Sequence, residues 1–151
     1  MKIYVASSWR NSYQQGVVKL LRGAGHDVYD FKNPEPGNNG FQWTEIDPEW
    51  KSWDPRAYRE ALKHPVAKKG YDLDMAALCG ADLCVLVLPS GRSASWEAGF
   101  HFGHTGVSHV VYMPEPMEPE LMYREASIAF DEDELLAAVA VVAEALSRER
   151  R

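Results

Sequence analysis

Residues Asp82–Gly99 read DLCVLVLPSGRSASWEAG, and this stretch decides the fold. Its first part, Asp82 to Leu88, is a continuous apolar run, which is typical of a strand buried on both faces of a parallel sheet. A short loop of small and polar residues follows, and then a helical pattern begins. Buried strand, short loop and helix together form the repeating unit of an α/β domain.

The same alternation extends to both ends of the chain. The predicted strands are Lys2–Ala6, Asp27–Phe31, Asp82–Leu88, His109–Met113 and Ser127–Phe130, and the predicted helices include Gln14–Arg22 and a C-terminal helix that opens at Asp131 with a capping-box spacing to Glu134. Right-handed crossovers then favour a flavodoxin-like three-layer sandwich with a five-stranded parallel sheet in the order 2-1-3-4-5. In such a sheet, a ligand binds beyond the carboxyl ends of the strands, here beyond strands one and three.

Length and composition exclude several classes of protein. The chain has 151 residues, of which 46% are hydrophobic and 25% charged, as expected for one globular domain. Lys plus Arg number 16 and Asp plus Glu number 22, so the net charge of −6 argues against a nucleic-acid polymer as the partner. No apolar run is long enough for a membrane span. Cys79 and Cys84 are too few for a disulfide framework, which favours a cytoplasmic location.

One segment interrupts the alternation. Residues 33–55 are rich in tryptophan and proline and are too long for an ordinary connection between a strand and a helix. Two interpretations remain open. The segment is either a loop that packs its aromatic side chains on the body of the domain, or a lid or wall over the ligand site.

The loop after the first strand is a candidate anion site. Ser7, Ser8 and Arg10 lie between that strand and the next helix, where backbone N–H groups, hydroxyl groups and a guanidinium group can bind an anion. The alternative is that Ser8 or Asn11 only caps the helix.

The loop after the third strand has the same character. Ser90, Gly91 and Ser93 precede a helix, and Glu97 is expected in its first turn or so, where the helix dipole favours an ionised carboxylate. Such a carboxylate at the edge of a cleft can act as a nucleophile. Alternatively, Glu97 completes a capping box with Ser93 or Ser95.

A third segment, Gly70–Met75, is predicted to start the helix before the third strand. Asp72 or Asp74 there could supply a second carboxyl group as a general acid, and two carboxyl groups suit cleavage of a glycosidic bond. Glu97 also has the spacing of a helix face with His101 and His104, but no fourth metal ligand is evident, so we expect no metal site.

Together, these segments resemble the nucleoside 2-deoxyribosyltransferase superfamily, and most closely its nucleoside 5′-monophosphate N-glycosidases. Ile3–Arg10 resembles the opening strand and the Gly-Ser-x-Arg phosphate loop, with Ser7 in place of the glycine and with Ser8 and Arg10 matching. Asp74 resembles the superfamily's acid. Ser93–Gly99 resembles its motif of small residues followed by Glu-x-Gly, whose Glu is the nucleophile.

The resemblance implies a single superfamily domain over residues 1–151, with the insertion at about 33–55 unmatched. The sequence also departs from the superfamily pattern at two places. A substrate-contacting Asp or Ser six residues before the nucleophile is replaced by Gly91, and the asparagine that transferases take from a neighbouring subunit is not recognisable near residues 120–123. Both departures favour a hydrolase over a transferase.

The resemblance therefore implies an enzyme that cleaves the base–sugar bond of a nucleoside 5′-monophosphate through a glycosyl-Glu97 intermediate. In this hypothesis Asp74 assists departure of the base and Tyr4 orients Glu97 or the sugar ring. Ser8, Arg10 and Ser93 hold the 5′-phosphate. The expected substrate- or phosphate-binding residues of the two loops are Ser7, Ser8, Arg10, Ser90, Gly91 and Ser93.

No metal or organic cofactor is expected, and the superfamily's shared sites imply a homodimer. The alternatives are a deoxyribosyltransferase, a non-catalytic nucleotide-binding or sensing module, and a redox domain.

Overall fold

Five parallel strands form one sheet in residues 1–149, the part of the chain that the computed structural model describes. The strand order is β2-β1-β3-β4-β5, so the predicted flavodoxin-like α/β architecture is confirmed. Each strand lies within its predicted segment: β1 is Lys2–Ala6, β2 Asp27–Asp30, β3 Leu83–Val87, β4 Val110–Tyr112 and β5 Ser127–Ala129.

Helices connect the strands, as expected for parallel pairs. They are α1 Gln14–Gly23, α2 Pro55–Ala61, α3 Pro65–Cys79, α4 Arg92–Thr105 and α5 Glu132–Glu149, with short 3-10 helices at Trp43–Glu45, Trp50–Ser52 and Leu121–Glu125. The predicted capping of α5 is present in a slightly shifted form. Asp131 Oδ1 accepts a hydrogen bond from the backbone N–H of Glu134, while Glu134 Oε2 accepts from that of Phe130 rather than Asp131.

The sheet separates two helical layers. Alternate residues of a strand point to opposite faces, and Ile3 and Val5 belong to the large apolar cluster that also contains residues of α1 and α5. The intervening Tyr4 and Ala6 are buried on the other face, where α4 packs against β1 and β3. The carboxyl ends of β1 and β3 therefore lie between α1 on one side and α4 on the other. No helix within residues 1–149 has the length and apolar character required to cross a bilayer.

The chain divides into two compact units, one of Met1–Asp30 with the chain from Leu78 onward, and one of Phe31–Ala77. The second unit contains the predicted insertion, which is ordered by an aromatic cluster of its own. Trp43 packs edge-on against three rings, at centroid distances of 4.7 Å from Phe41, 5.6 Å from Trp53 and 5.7 Å from Tyr58.

Polar and steric contacts complete this aromatic cluster. Trp53 Nε1 donates a 2.6 Å hydrogen bond to Asp47 Oδ2, which holds the pKa of that carboxyl below its usual value. Phe41 packs against α3 at Gly70, where an added Cβ would lie 2.8 Å from Phe41 Cβ. The insertion is therefore held by contacts among half-buried aromatic side chains of its own. Its role as a wall or lid stays a prediction, as does the assignment of the whole chain to one superfamily domain.

Candidate functional site

The candidate site residues of the two loops and α4 follow the carboxyl ends of β1 and β3. Glu97 is half-buried in α4, which begins at Arg92 after an extended Gly91. Glu97 is thus in the second turn of α4, one turn later than expected, because the helix starts earlier than the run of small residues indicates. Its distance from the helix start weakens the dipole contribution, which falls off within the first turn.

Side chains of three neighbouring strands lie on the face of the sheet that α4 covers, and the charge of Glu97 acts on one of them. Cys84 of β3 is fully buried, and its thiol pKa is raised first by that burial and then by the negative charge of Glu97. Tyr4 pairs in register with Cys84 on one side and with Tyr29 on the other. The Tyr4 and Tyr29 rings stack at 5.4 Å with 16° between their planes.

In-register partners of parallel strands point to the same face, so Tyr29, Tyr4 and Cys84 form a row across that face. The charge of Glu97 acts on the Cys84 end of this row. That Tyr4 helps to orient Glu97 stays a prediction. A neutral thiol at Cys84 also adds no second negative charge next to the carboxylate.

The loop between β1 and α1 carries the predicted anion-binding residues. The Ser7 hydroxyl donates a 2.8 Å hydrogen bond to the carbonyl of Val87, so its one proton is engaged inside the protein. Ser8 Oγ accepts from the backbone N–H of Arg10 at 3.2 Å, which leaves its own proton for another acceptor. The Arg10 side chain is exposed. It forms no ion pair with the described residues of the unit that contains the sheet.

Asn11 joins this loop to the loop between β3 and α4. Its Nδ2 donates to the carbonyl of Pro89 at 2.9 Å and to that of Val87 at 3.4 Å. Its Oδ1 accepts from the backbone N–H groups of Tyr13 and Gln14 at the start of α1. The capping role considered for Asn11 in the sequence is therefore present, together with a second role that the sequence did not indicate.

The loop between β3 and α4 is open to solvent. Gly91 and Ser93 are exposed and Ser90 is half-buried. The Ser95 hydroxyl, one turn after Gly91, donates a 3.5 Å hydrogen bond to the carbonyl of Gly91. Burial and then the charge of Glu120 raise the pKa of Tyr123, and the nearby Ser95 side chain lowers it.

The acids of α3 lie within the helix rather than at its start. The predicted start at Gly70 is wrong, because the helix begins at Pro65, a residue whose fixed φ suits a first turn. Asp72 forms an ion pair with Lys68 one turn earlier. Asp74 is half-buried in the second unit and remains the preferred candidate for the second carboxyl group; its role stays a prediction.

The histidines that share a helical spacing with Glu97 do not converge on it. His101 is buried and its Nε2 lies 3.1 Å from the carbonyl oxygen of Ala81, whereas His104 is exposed and stacks on Phe100. Within residues 1–149, no group of three or more His, Cys, Asp or Glu side chains is arranged to hold a metal ion. Cys79 is exposed, whereas Cys84 is buried.

The sequence alone indicated no role at this site for Tyr29 or Cys84, and it indicated Asn11 only as a possible helix cap. Residues 120–123, which contain Tyr123, were considered only as the place of the asparagine that transferases use. Contacts between residues that are not neighbours in the sequence bring these side chains to the region, so local patterns do not reveal them.

Comparison with known proteins identifies the fold. No protein-family profile matches the sequence, and no curated protein matches it as a relative. A solved structure of 2-deoxyribosyltransferase from the psychrotolerant bacterium Bacillus psychrosaccharolyticus, described as a biocatalyst for the synthesis of antiviral and antitumoral nucleosides, is similar with a TM-score of 0.56. The alignment covers 89% of this chain and 90% of that chain at 18% identity. This protein therefore shares the fold of a 2-deoxyribosyltransferase over nearly its whole length.

Proposed function

We propose that the protein is an N-glycosidase that cleaves the base–sugar bond of a nucleoside 5′-monophosphate. The observation that carries the proposal is the half-buried Glu97 on α4, beside two linked loops with anion-binding character at the ligand edge of the sheet. The similarity in fold to a 2-deoxyribosyltransferase supports chemistry at the same kind of bond.

In the proposed mechanism, the Glu97 carboxylate attacks C1′ and the bond from C1′ to the base nitrogen breaks. The electron pair leaves with the base, and Asp74 donates a proton to it. Water then attacks C1′ of the glycosyl-Glu97 ester and gives its proton to Asp74, so the carboxylate returns to its starting state. Two displacements at C1′ retain its configuration. Ser8, Arg10 and Ser93 hold the 5′-phosphate, with Ser90 and Gly91 beside it.

Glu97→Ala and Glu97→Gln test the nucleophile. We expect both to abolish base release from a panel of nucleoside monophosphates, read by chromatography, because neither a methyl group nor an amide attacks C1′. Glu144→Gln is the matched control, since Glu144 is an exposed acid of α5, and it should keep wild-type turnover. Near wild-type turnover in Glu97→Gln would refute the assignment. Binding without base release in the wild type would instead support a non-catalytic nucleotide-binding module.

Arg10→Ala tests the phosphate. A charge-assisted hydrogen bond contributes roughly 1.5–3 kcal/mol, so its loss should lower kcat/KM for the monophosphate by about tenfold to a hundredfold. The matched control, Lys19→Ala, removes one exposed positive charge from α1 and should have little effect. Equal wild-type rates for a nucleoside and its monophosphate would overturn the phosphate assignment.

A nucleoside deoxyribosyltransferase is the second candidate, and the similarity in fold is the observation that favours it. In that reaction a second base replaces water in attack on the glycosyl-Glu97 intermediate. An added free base of a different kind separates the two outcomes. A new nucleoside or nucleotide indicates transfer, whereas free sugar phosphate alone indicates hydrolysis.

We further infer a homodimer in a reduced, cytoplasmic compartment. Trp96 is 54% exposed and begins a stacked series with Phe100 and His104 along α4, next to Glu97. Aromatic residues are enriched at protein interfaces. Cys79 and Cys84 are unpaired thiols, which supports a reducing environment. The dimer would be refuted if light scattering showed a monomer at micromolar concentration and that monomer had full activity.

A further inference from the structure

We propose that Asn11 is a positioning residue that sets the distance between the phosphate-binding loop and the helix of the nucleophile. This inference rests on the proposed function. The Asn11 side chain is 5% exposed and bonds backbone groups on two separate segments. One segment is the start of α1, and the other is the loop that leads into α4.

Each half of the Asn11 amide has a distinct task. The carbonyl half accepts from Tyr13 N–H at 2.7 Å and Gln14 N–H at 2.8 Å, which fixes the first turn of α1. The NH₂ half donates to the carbonyls of Pro89 and Val87, which fixes the start of the other loop. An amide is required for both tasks, since a carboxylate lacks donors and a hydroxyl has only one proton.

Asn11 connects the two segments that carry the proposed phosphate-binding residues and the proposed nucleophile. Asn11 directly follows Arg10, and Pro89 directly precedes Ser90 in the loop that leads to Glu97. A substrate held by its phosphate at Ser8 and Arg10 must present C1′ to a carboxylate on the other segment. The separation of the two segments therefore determines whether C1′ lies within reach of attack.

A buried network anchors the bridge on its far side. Gln14 is fully buried, and its side chain donates to Asp30 Oδ1 at 2.8 Å. The exposed Gln15 donates to Asp30 Oδ2 at 2.9 Å. The buried bond from Gln14 fixes α1 to the end of β2. A relative movement of the two loops would therefore break the bonds of Asn11 to Val87 and Pro89, together with the bond of Ser7 to Val87.

The test compares Asn11→Ser with Gln15→Ala. A serine still caps the start of α1 but is too short to reach both carbonyls. We expect its kcat for the monophosphate to fall by about tenfold to a hundredfold, since small misplacements of reacting groups have effects of that size. Its KM should stay within about threefold, because the phosphate contacts remain. Gln15→Ala removes the bonds of Gln15 to Asp30 and Gln14 and leaves the Asn11 bonds in place, so it should keep wild-type kcat and KM.

A nucleoside without phosphate provides a readout that a merely structural role would not change. It is not held at Ser8 and Arg10, so its slower turnover should fall much less in Asn11→Ser than that of the monophosphate. An equal loss for both substrates, or wild-type kcat in Asn11→Ser, would overturn the positioning role.

Hydrogen exchange separates failure of this inference from failure of the proposed function. Amide exchange in residues 88–95 should accelerate in Asn11→Ser and not in Gln15→Ala. If the wild type released no base from any nucleotide, the proposed function would fail, and faster exchange in Asn11→Ser alone would still support the bridge between the loops. Unchanged exchange would overturn it.

Discussion

Replacing Gly70 by alanine should disturb the aromatic cluster of the insertion. Gly70 lies within α3, and an added Cβ would meet Phe41 Cβ at 2.8 Å and Phe41 Cγ at 3.1 Å. The nearest atom is the one joined to the Phe41 backbone, so rotation of the ring cannot relieve the contact. Phe41 in turn packs on Trp43. Either the insertion or α3 must shift.

Two opposing contributions set the size of the effect. Alanine in place of glycine stabilises a helix interior by about 1 kcal/mol. Overpacking costs about 1–3 kcal/mol. The net expectation is a loss of about 0–2 kcal/mol in the free energy of unfolding. Gly103→Ala is the matched control, because Gly103 is exposed in α4 with no atom within 4 Å of its added Cβ, and it should be stabilised by about 1 kcal/mol.

Thermal melting and tryptophan fluorescence measure the difference. For a chain of this size, 1 kcal/mol corresponds to about 2–4 °C in Tm, so Gly103→Ala should melt about 2–4 °C above wild type. Gly70→Ala should melt about 2–12 °C below that control. Its tryptophan emission should also change, because Trp43 and Trp53 share the cluster. Equal stabilisation of both variants, with unchanged emission, would refute the packing of Phe41 on Gly70.

Two further predictions concern buried groups of the sheet unit. Burial lowers the pKa of His101 and of His109 in the folded protein. Below pH 6.5, the ordinary pKa of histidine, the unfolded chain therefore binds more protons than the folded one. The free energy of unfolding should therefore be level above pH 6.5 and fall as the pH drops below it. His109→Asn should reduce this slope in melts from pH 7.5 to 5.5, and a level wild-type profile would contradict the prediction. A thiol reagent should modify the exposed Cys79 rapidly and the buried Cys84 only when the protein unfolds. The folded Cys79→Ser variant should therefore show no rapid reaction. Rapid labelling of that variant would refute the burial of Cys84.

Strand positions were predictable because strands that are buried on both faces consist almost entirely of apolar residues. Leu83–Val87 is entirely apolar, and the structure buries every residue of it. The order of the strands followed from the handedness of crossovers, which leaves few arrangements. Helix starts were less predictable: α3 begins at Pro65 and α4 at Arg92, both before the polar residues that the sequence favoured as starts.

The sequence by itself determined the alternation of strands and helices, the edge of the sheet that carries the candidate site, and the residue types that could act there. Local patterns suffice for these features, because periodicity and loop composition are properties of neighbouring residues. Only the tertiary structure decided which distant groups meet: Cys84 near the charge of Glu97, Tyr123 near Ser95, and Asn11 on Val87 and Pro89. Such contacts depend on strand register and on loop closure between residues tens of positions apart, and a single sequence carries no local signal for either.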